Sequence, residues 1–134
     1  MKTCRVTIAD TGHILLDRAE VALGAWARLK GLMGRKRLPP SEGMLLPRCN
    51  SVHTVFMRFP IDVIYLSKDD RVLKIVEKMP ACHVSACWGA KSVLEMPANW
   101  AAKTGLRVGH VLEFGDTAAI PTEDPSTLTH NEPA

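Results

Sequence analysis

Residues 61–66 read Ile-Asp-Val-Ile-Tyr-Leu, an apolar run rich in β-branched side chains with a single carboxylate, placed directly after Pro60. Six residues of this kind are too short for a helix and suit a pleated surface, so they predict a strand. Lys68-Asp69-Asp70 follows as a turn, and residues 71–76 alternate Val72, Lys74 and Val76 with Leu73 and Ile75. This is the strongest hairpin in the chain, and it commits the neighbouring sequence to a sheet. Along residues 61–66, alternation puts Asp62 on one face with Ile64 and Leu66. A carboxylate heading an apolar face must sit at the rim or find donors.

The rest of the chain repeats the pattern in short pieces. Residues 3–9 alternate Thr3, Arg5 and Thr7 with Cys4, Val6 and Ile8. Asp10-Thr11-Gly12 has turn chemistry, and residues 13–22 return as the second arm of a hairpin. Further strands are expected at residues 44–46, 51–56, 92–96 and 108–114, with residues 80–90 as a loop. The period changes at residues 24–33, where Trp26, Leu29, Leu32 and Met33 fall on one face of a short helix, with Trp26 and Leu29 turned to the core. Gly34 can cap it and Pro39-Pro40 forbids its continuation. A second short helix is expected at residues 99–104, ended by Gly105. The predicted fold is α+β: a β-rich mixed or antiparallel sheet curled toward a partial barrel, with two short helices.

Composition sets the domain count. The chain has 134 residues, 46% apolar and 23% charged, with 17 Lys+Arg against 14 Asp+Glu. Four of the acids (Asp116, Glu123, Asp124 and Glu132) lie beyond Gly115, where there is no Lys or Arg, so the preceding residues carry +7. The expected organisation is one globular domain over residues 1–115 and an acidic, proline-containing, disordered tail over 116–134. Arg5 and Asp10 interrupt any secretory leader, and no stretch approaches the roughly 18 apolar residues of a membrane helix. A soluble, cytoplasmic protein is expected, with Cys4, Cys49, Cys82 and Cys87 mostly reduced.

Five motifs occur in order: Arg28-Leu-Lys-Gly-Leu-Met-Gly-Arg35, Gly43-Met44, Phe59-Pro-Ile-Asp62, Val93-Leu-Glu95 and Gly105-Leu-Arg-Val-Gly109. Together they make residues 4–114 resemble the uncharacterised prokaryotic family catalogued as domain of unknown function 192. The resemblance implies a compact β-rich α+β domain and no established activity, metal or cofactor. The sequence departs from the family pattern in its His53-Thr-Val-Phe-Met-Arg58 stretch, at Asn99 and at His110.

Three groups of residues could carry chemistry. Cys49, His53, Cys82 and Cys87, with His83, offer soft ligands, but the spacing of Cys82 and Cys87 is wider than zinc pairs usually show, and inert cysteines are the favoured reading. The same residues permit a thiol enzyme, with Cys82 as nucleophile and His53 or His83 as base. His53, Thr54, Arg58, Asp62 and Glu95 could form a small polar groove for an anionic ligand or peptide, with Arg58 paired to Asp62. Against that, Asp62 and Glu95 could simply accept hydrogen bonds from backbone amides. Finally, Arg28, Lys30, Arg35, Lys36 and Arg37 form a basic stretch that is either a solvated helix face and loop or a patch for an anionic small molecule, an acidic protein surface or a lipid surface. Without interleaved aromatics it does not suit single-stranded nucleic acid.

No Walker loop, Gly-x-Gly-x-x-Gly, His-Glu-x-x-His or Gly-x-Ser-x-Gly is present, so nucleotide-driven, dinucleotide and the commonest hydrolytic chemistries lack support and no cofactor is expected. The sequence therefore favours a non-enzymatic binding or accessory module using the polar groove. The alternative is a small enzyme centred on Cys82 or His53.

Overall fold

A computed structural model describes residues 2–22, 37–55 and 57–116. The chain forms β1 (Thr3–Ile8), β2 (Ile14–Val21), β3 (Glu42–Pro47), β4 (Ser51–His53), β5 (Ile61–Leu66), β6 (Val72–Met79), β7 (Val84–Ala86), β8 (Ser92–Pro97), a helix α1 (Trp100–Thr104) and β9 (Leu112–Asp116). The fold is thus β-rich, with one short helix among the described residues. The expected helix at residues 24–33 lies outside them, as do residues 117–134 of the expected tail, while Asp116 belongs to β9. Residues 80–90, expected as loop, contain β7, and residues 51–56 yield a strand of only three residues. Each of those strands is three residues long, too short for alternation to register, and they find each other only in space.

Seven strands form one sheet in the order β6-β5-β8-β3-β2-β1-β9, and β4 pairs with β7 in a separate two-stranded ribbon. All neighbours in the large sheet are antiparallel except β2 and β3. A parallel pair needs a long crossover; here it runs through residues 22–41, most of them outside the described residues. The sheet curls until its two edge strands meet at one end. Arg71 bridges Val111, Val72 N–H donates to His110 C=O at 2.8 Å, and Leu112 N–H donates to Asp70 C=O at 2.9 Å. Joining the edges removes part of the row of open amides that would invite another strand.

The sheet is apolar on both faces, and this explains the unbroken run at β5, all six residues of which are buried. Ile64 and Leu66 pack with Val6, Ile8, Leu16 and Leu94 on the inner side of the curl. Ile61, Val63 and Tyr65 pack on the opposite side with Met44, Leu46, Val52 and Val93. Each fully buried aliphatic side chain contributes about 1.5–3 kcal/mol, so this strand, next to the edge strand β6, anchors two clusters at once.

Gly43 marks a close approach between β3 and β8. A Cβ there would collide with the Glu95 carbonyl oxygen and lie 2.9 Å from Leu16 Cδ1. Since the obstacle is backbone of the paired strand β8, the sheet itself would have to open. Gly43→Ala is expected to destabilise the fold by about 1–3 kcal/mol, measurable as a lowered urea midpoint with unchanged slope.

Candidate functional site

Asp62 is completely buried, and its surroundings follow from a local irregularity in strand pairing. Ile61 pairs with Met79 and Val63 with Val76, so two residues of β6, Glu77 and Lys78, oppose the single Asp62. The bulge puts Lys78 in the left-handed region at φ 51, and its N–H donates to Asp62 Oδ1 at 2.9 Å. Asn99, also left-handed at φ 70, donates its N–H to the same oxygen at 3.1 Å, and Ala101 N–H donates to Oδ2 at 2.9 Å. Asn99 precedes α1 and makes no side-chain cap, so Asp62 supplies the helix start with its acceptor from another strand.

Arg58 is exposed and, among the described residues, forms no ion pair with Asp62. Of the two readings open for this carboxylate, the geometry supports amide acceptance. Thr54 is equally structural. It is buried; its hydroxyl donates to Pro80 C=O at 2.6 Å and accepts from His83 N–H at 2.8 Å, while its carbonyl accepts from Cys82 N–H at 3.1 Å. His53 is exposed on the ribbon.

The register separates the expected groove into two places. Asp62 pairs with Met96 and therefore faces the inner cluster, whereas Glu95 pairs with Val63 and faces the other. Their carboxylates stand on opposite sides of the sheet, so one groove cannot hold both. Glu95 shares its side with Tyr65. Burial is the main cause raising the Tyr65 phenol above its ordinary pKa, opposed by Ser85 and reinforced by Cys49, Cys87 and Glu95.

An open cleft of about 460 Å³ is lined by Arg48, Cys49, Asn50, Ser51, Ala90 and Lys91. It forms where β3 ends at Pro47 and the chain leaves the large sheet for the ribbon. Its walls are fixed by backbone bonds: Cys49 N–H donates to Lys91 C=O at 3.2 Å, Lys91 N–H to Leu66 C=O at 2.7 Å, and Cys87 N–H to Asn50 C=O at 3.0 Å. Two cations and no carboxylate line it, and the volume lies within the range of small-molecule sites. Arg48 offers a planar fork of donors and Lys91 a compact charge, a pair suited to an oxyanion. Of the lining, Cys49 was among the soft-ligand candidates, while Arg48, Asn50, Ser51 and Lys91 belong to no site expected from the sequence. The available signal was that residues 48–60 and 78–94 contain no Asp or Glu.

The remaining candidates do not converge. None of the four cysteines forms a disulfide; Cys4 is buried, Cys82 exposed, and Cys49 and Cys87 half-buried. Cys49 donates its thiol hydrogen to Ser51 C=O at 3.0 Å. Among the described residues no three His, Cys, Asp or Glu side chains are grouped to hold a metal ion. Of the basic stretch, Arg37 is exposed; Arg28, Lys30, Arg35 and Lys36 lie outside the described residues.

The chain matches the family described as Uncharacterized ACR, the domain of unknown function 192, over residues 5–114, and belongs to that family. A protein of unknown function from Novosphingobium aromaticivorans is similar in structure, with 28% identity, 83% of each chain covered and a TM-score of 0.72. A putative transcription regulator from Sinorhizobium meliloti has 24% identity, with 84% of this chain and 92% of that chain covered and a TM-score of 0.74, a likeness of fold alone. No curated protein matches the chain.

Removing the Asp62 carboxylate strands three amides around a buried space, so Asp62→Ala is expected to cost roughly 3 kcal/mol or more. Arg58→Ala should change stability by no more than about 0.5 kcal/mol. Equal losses in chemical denaturation would restore an Arg58–Asp62 pair. Tyr65 is the single tyrosine of the chain, so absorbance at about 295 nm follows it alone, and its ionisation should begin above the ordinary value near 10. A raised folded-state pKa means that stability is intact below pH 10 and declines as pH rises beyond it.

Proposed function

We propose that this family member is a binding module whose cleft between Arg48 and Lys91 takes a small anionic ligand. The observation that carries this reading is the pairing of two cations with neutral Asn50 and Ser51 in an open cleft lined by no carboxylate. Such a concavity focuses positive potential, and an incoming anion faces no opposing charge on its walls. Fixed backbone bonds on both sides reduce the ordering that binding would otherwise cost. The polar groove expected around Asp62 and Glu95 moves, on this reading, to the mouth of the ribbon.

An enzyme centred on Cys82 or His53 has less to support it. The Cys82 backbone serves the Thr54 tie, and its side chain stands in solvent at a left-handed position, φ 62. The His83 ring turns back to its own loop, with Nδ1 2.8 Å from Ala81 C=O.

Inorganic pyrophosphate is a suitable probe, titrated into the full chain at low ionic strength while backbone amide resonances are followed. Shifts should concentrate at Asn50, Ser51 and Lys91 and weaken with added salt. An Arg48→Ala, Lys91→Ala double variant should bind at least about tenfold more weakly, the loss of some 1.4 kcal/mol. Unchanged affinity in that variant would place anion recognition elsewhere.

A further inference from the structure

The two-stranded ribbon has one side turned into the protein and one turned out. Val52 is buried and its partner Ser85 half-buried, while Ser51, His53, Val84 and Ala86 are exposed. Beyond β7 the alternation continues, with Cys87 half-buried and Trp88 outward. Val84 is 77% exposed and Trp88 98% exposed, so two large apolar side chains stand almost free in water on one short segment. The backbone that carries Trp88 is fixed. Ala90 N–H donates to Cys87 C=O at 3.2 Å, closing a tight turn over Trp88 and Gly89, and Gly89 takes the left-handed φ of 89 that this turn requires.

The chain segments that form and flank the ribbon carry charge of one sign, and Lys74 of β6 adds a cation there, its Nζ donating to Ala86 C=O at 3.0 Å, while the exposed Glu77 lies on β6 outside those segments. Residues 48–60 and 78–94 carry Arg48, Arg58, Lys78 and Lys91, all exposed, and no acid. Tryptophan settles at the headgroup level of a bilayer, where its apolar ring and N–H are both satisfied. Basic side chains near an anionic leaflet add attraction that falls within a Debye length. Buried apolar area and attraction to anionic lipids add in binding such a surface.

We propose that the ribbon is a peripheral docking surface for an anionic lipid bilayer. Trp88 and Val84 enter the headgroup layer, while Arg and Lys side chains of the ribbon's flanking segments meet lipid phosphates. A nucleic-acid strand fits less well, because stacking on successive bases needs a series of aromatics, and Val84 offers a base no ring. The inference rests on the proposed cleft only in sharing Arg48 and Lys91, and the two are separable because Trp88 and Val84 do not line that cleft.

The test is cosedimentation of the full chain with vesicles of equimolar phosphatidylglycerol and phosphatidylcholine, beside vesicles of phosphatidylcholine alone. Binding is expected to the anionic vesicles only and to fall with salt. Trp88→Ala should weaken it by about tenfold, and Val84→Ser should weaken it further, with pyrophosphate affinity unchanged in both. No binding to anionic vesicles, or undiminished binding by Trp88→Ala, would overturn the proposal. So would Trp88-dependent binding to oligothymidylate without vesicle binding, which would assign the surface to nucleic acid. Vesicle binding in a protein that ignores pyrophosphate would leave this inference standing and remove the cleft reading instead.

Discussion

A carboxylate with no access to water is a demanding thing to build around, and much of this fold is arranged to satisfy one. The three amides that meet Asp62 come from a bulge in β6, from the residue before α1 and from the helix itself. Two of those donors sit in left-handed backbone that non-glycine residues adopt at a cost. Charge-assisted hydrogen bonds are strong enough to hold such positions, roughly twice a neutral bond each. Asp62 thereby fixes the bulge, the start of the helix and the end of β8 relative to β5. The cores on both sides of the sheet then pack against a frame whose register cannot slip.

This arrangement also accounts for several residues through which the chain resembles its family. Gly43 permits close strand approach, Gly105 ends α1 in the left-handed region, and Gly109 takes φ 99 at the turn before β9. With Asp62 they are architectural. The proposed cleft and ribbon lie elsewhere, where β3 ends and the chain leaves the large sheet, and the Arg48, Lys91, Val84 and Trp88 side chains they use are exposed.

Several elements were readable from local chemistry. The β1–β2 and β5–β6 hairpins follow from alternation broken by Asp-Thr-Gly and Lys-Asp-Asp turns, and the short helix before Gly105 follows from its cap. Alternation also put Asp62 with Ile64 and Leu66, on the inner face where the structure has it. What a single strand could not supply was the register of its neighbour. Asp62 and Glu95 looked like members of one polar set until pairing of Val63 with Glu95 put them on opposite faces. A shift of one residue would have reversed that result.

The amino-acid sequence alone determined the β-rich class, the main hairpins and the family, because these depend on patterns within a few residues or on motif order. Tertiary structure decided the rest. It turned Asp62 from a candidate ligand group into a backbone acceptor, and it found β7 by giving it a distant partner. It also brought Arg48 beside Lys91, and left Trp88 in water. Burial and long-range pairing are properties of the folded chain, and at these sites they outweigh anything the neighbours in sequence can specify.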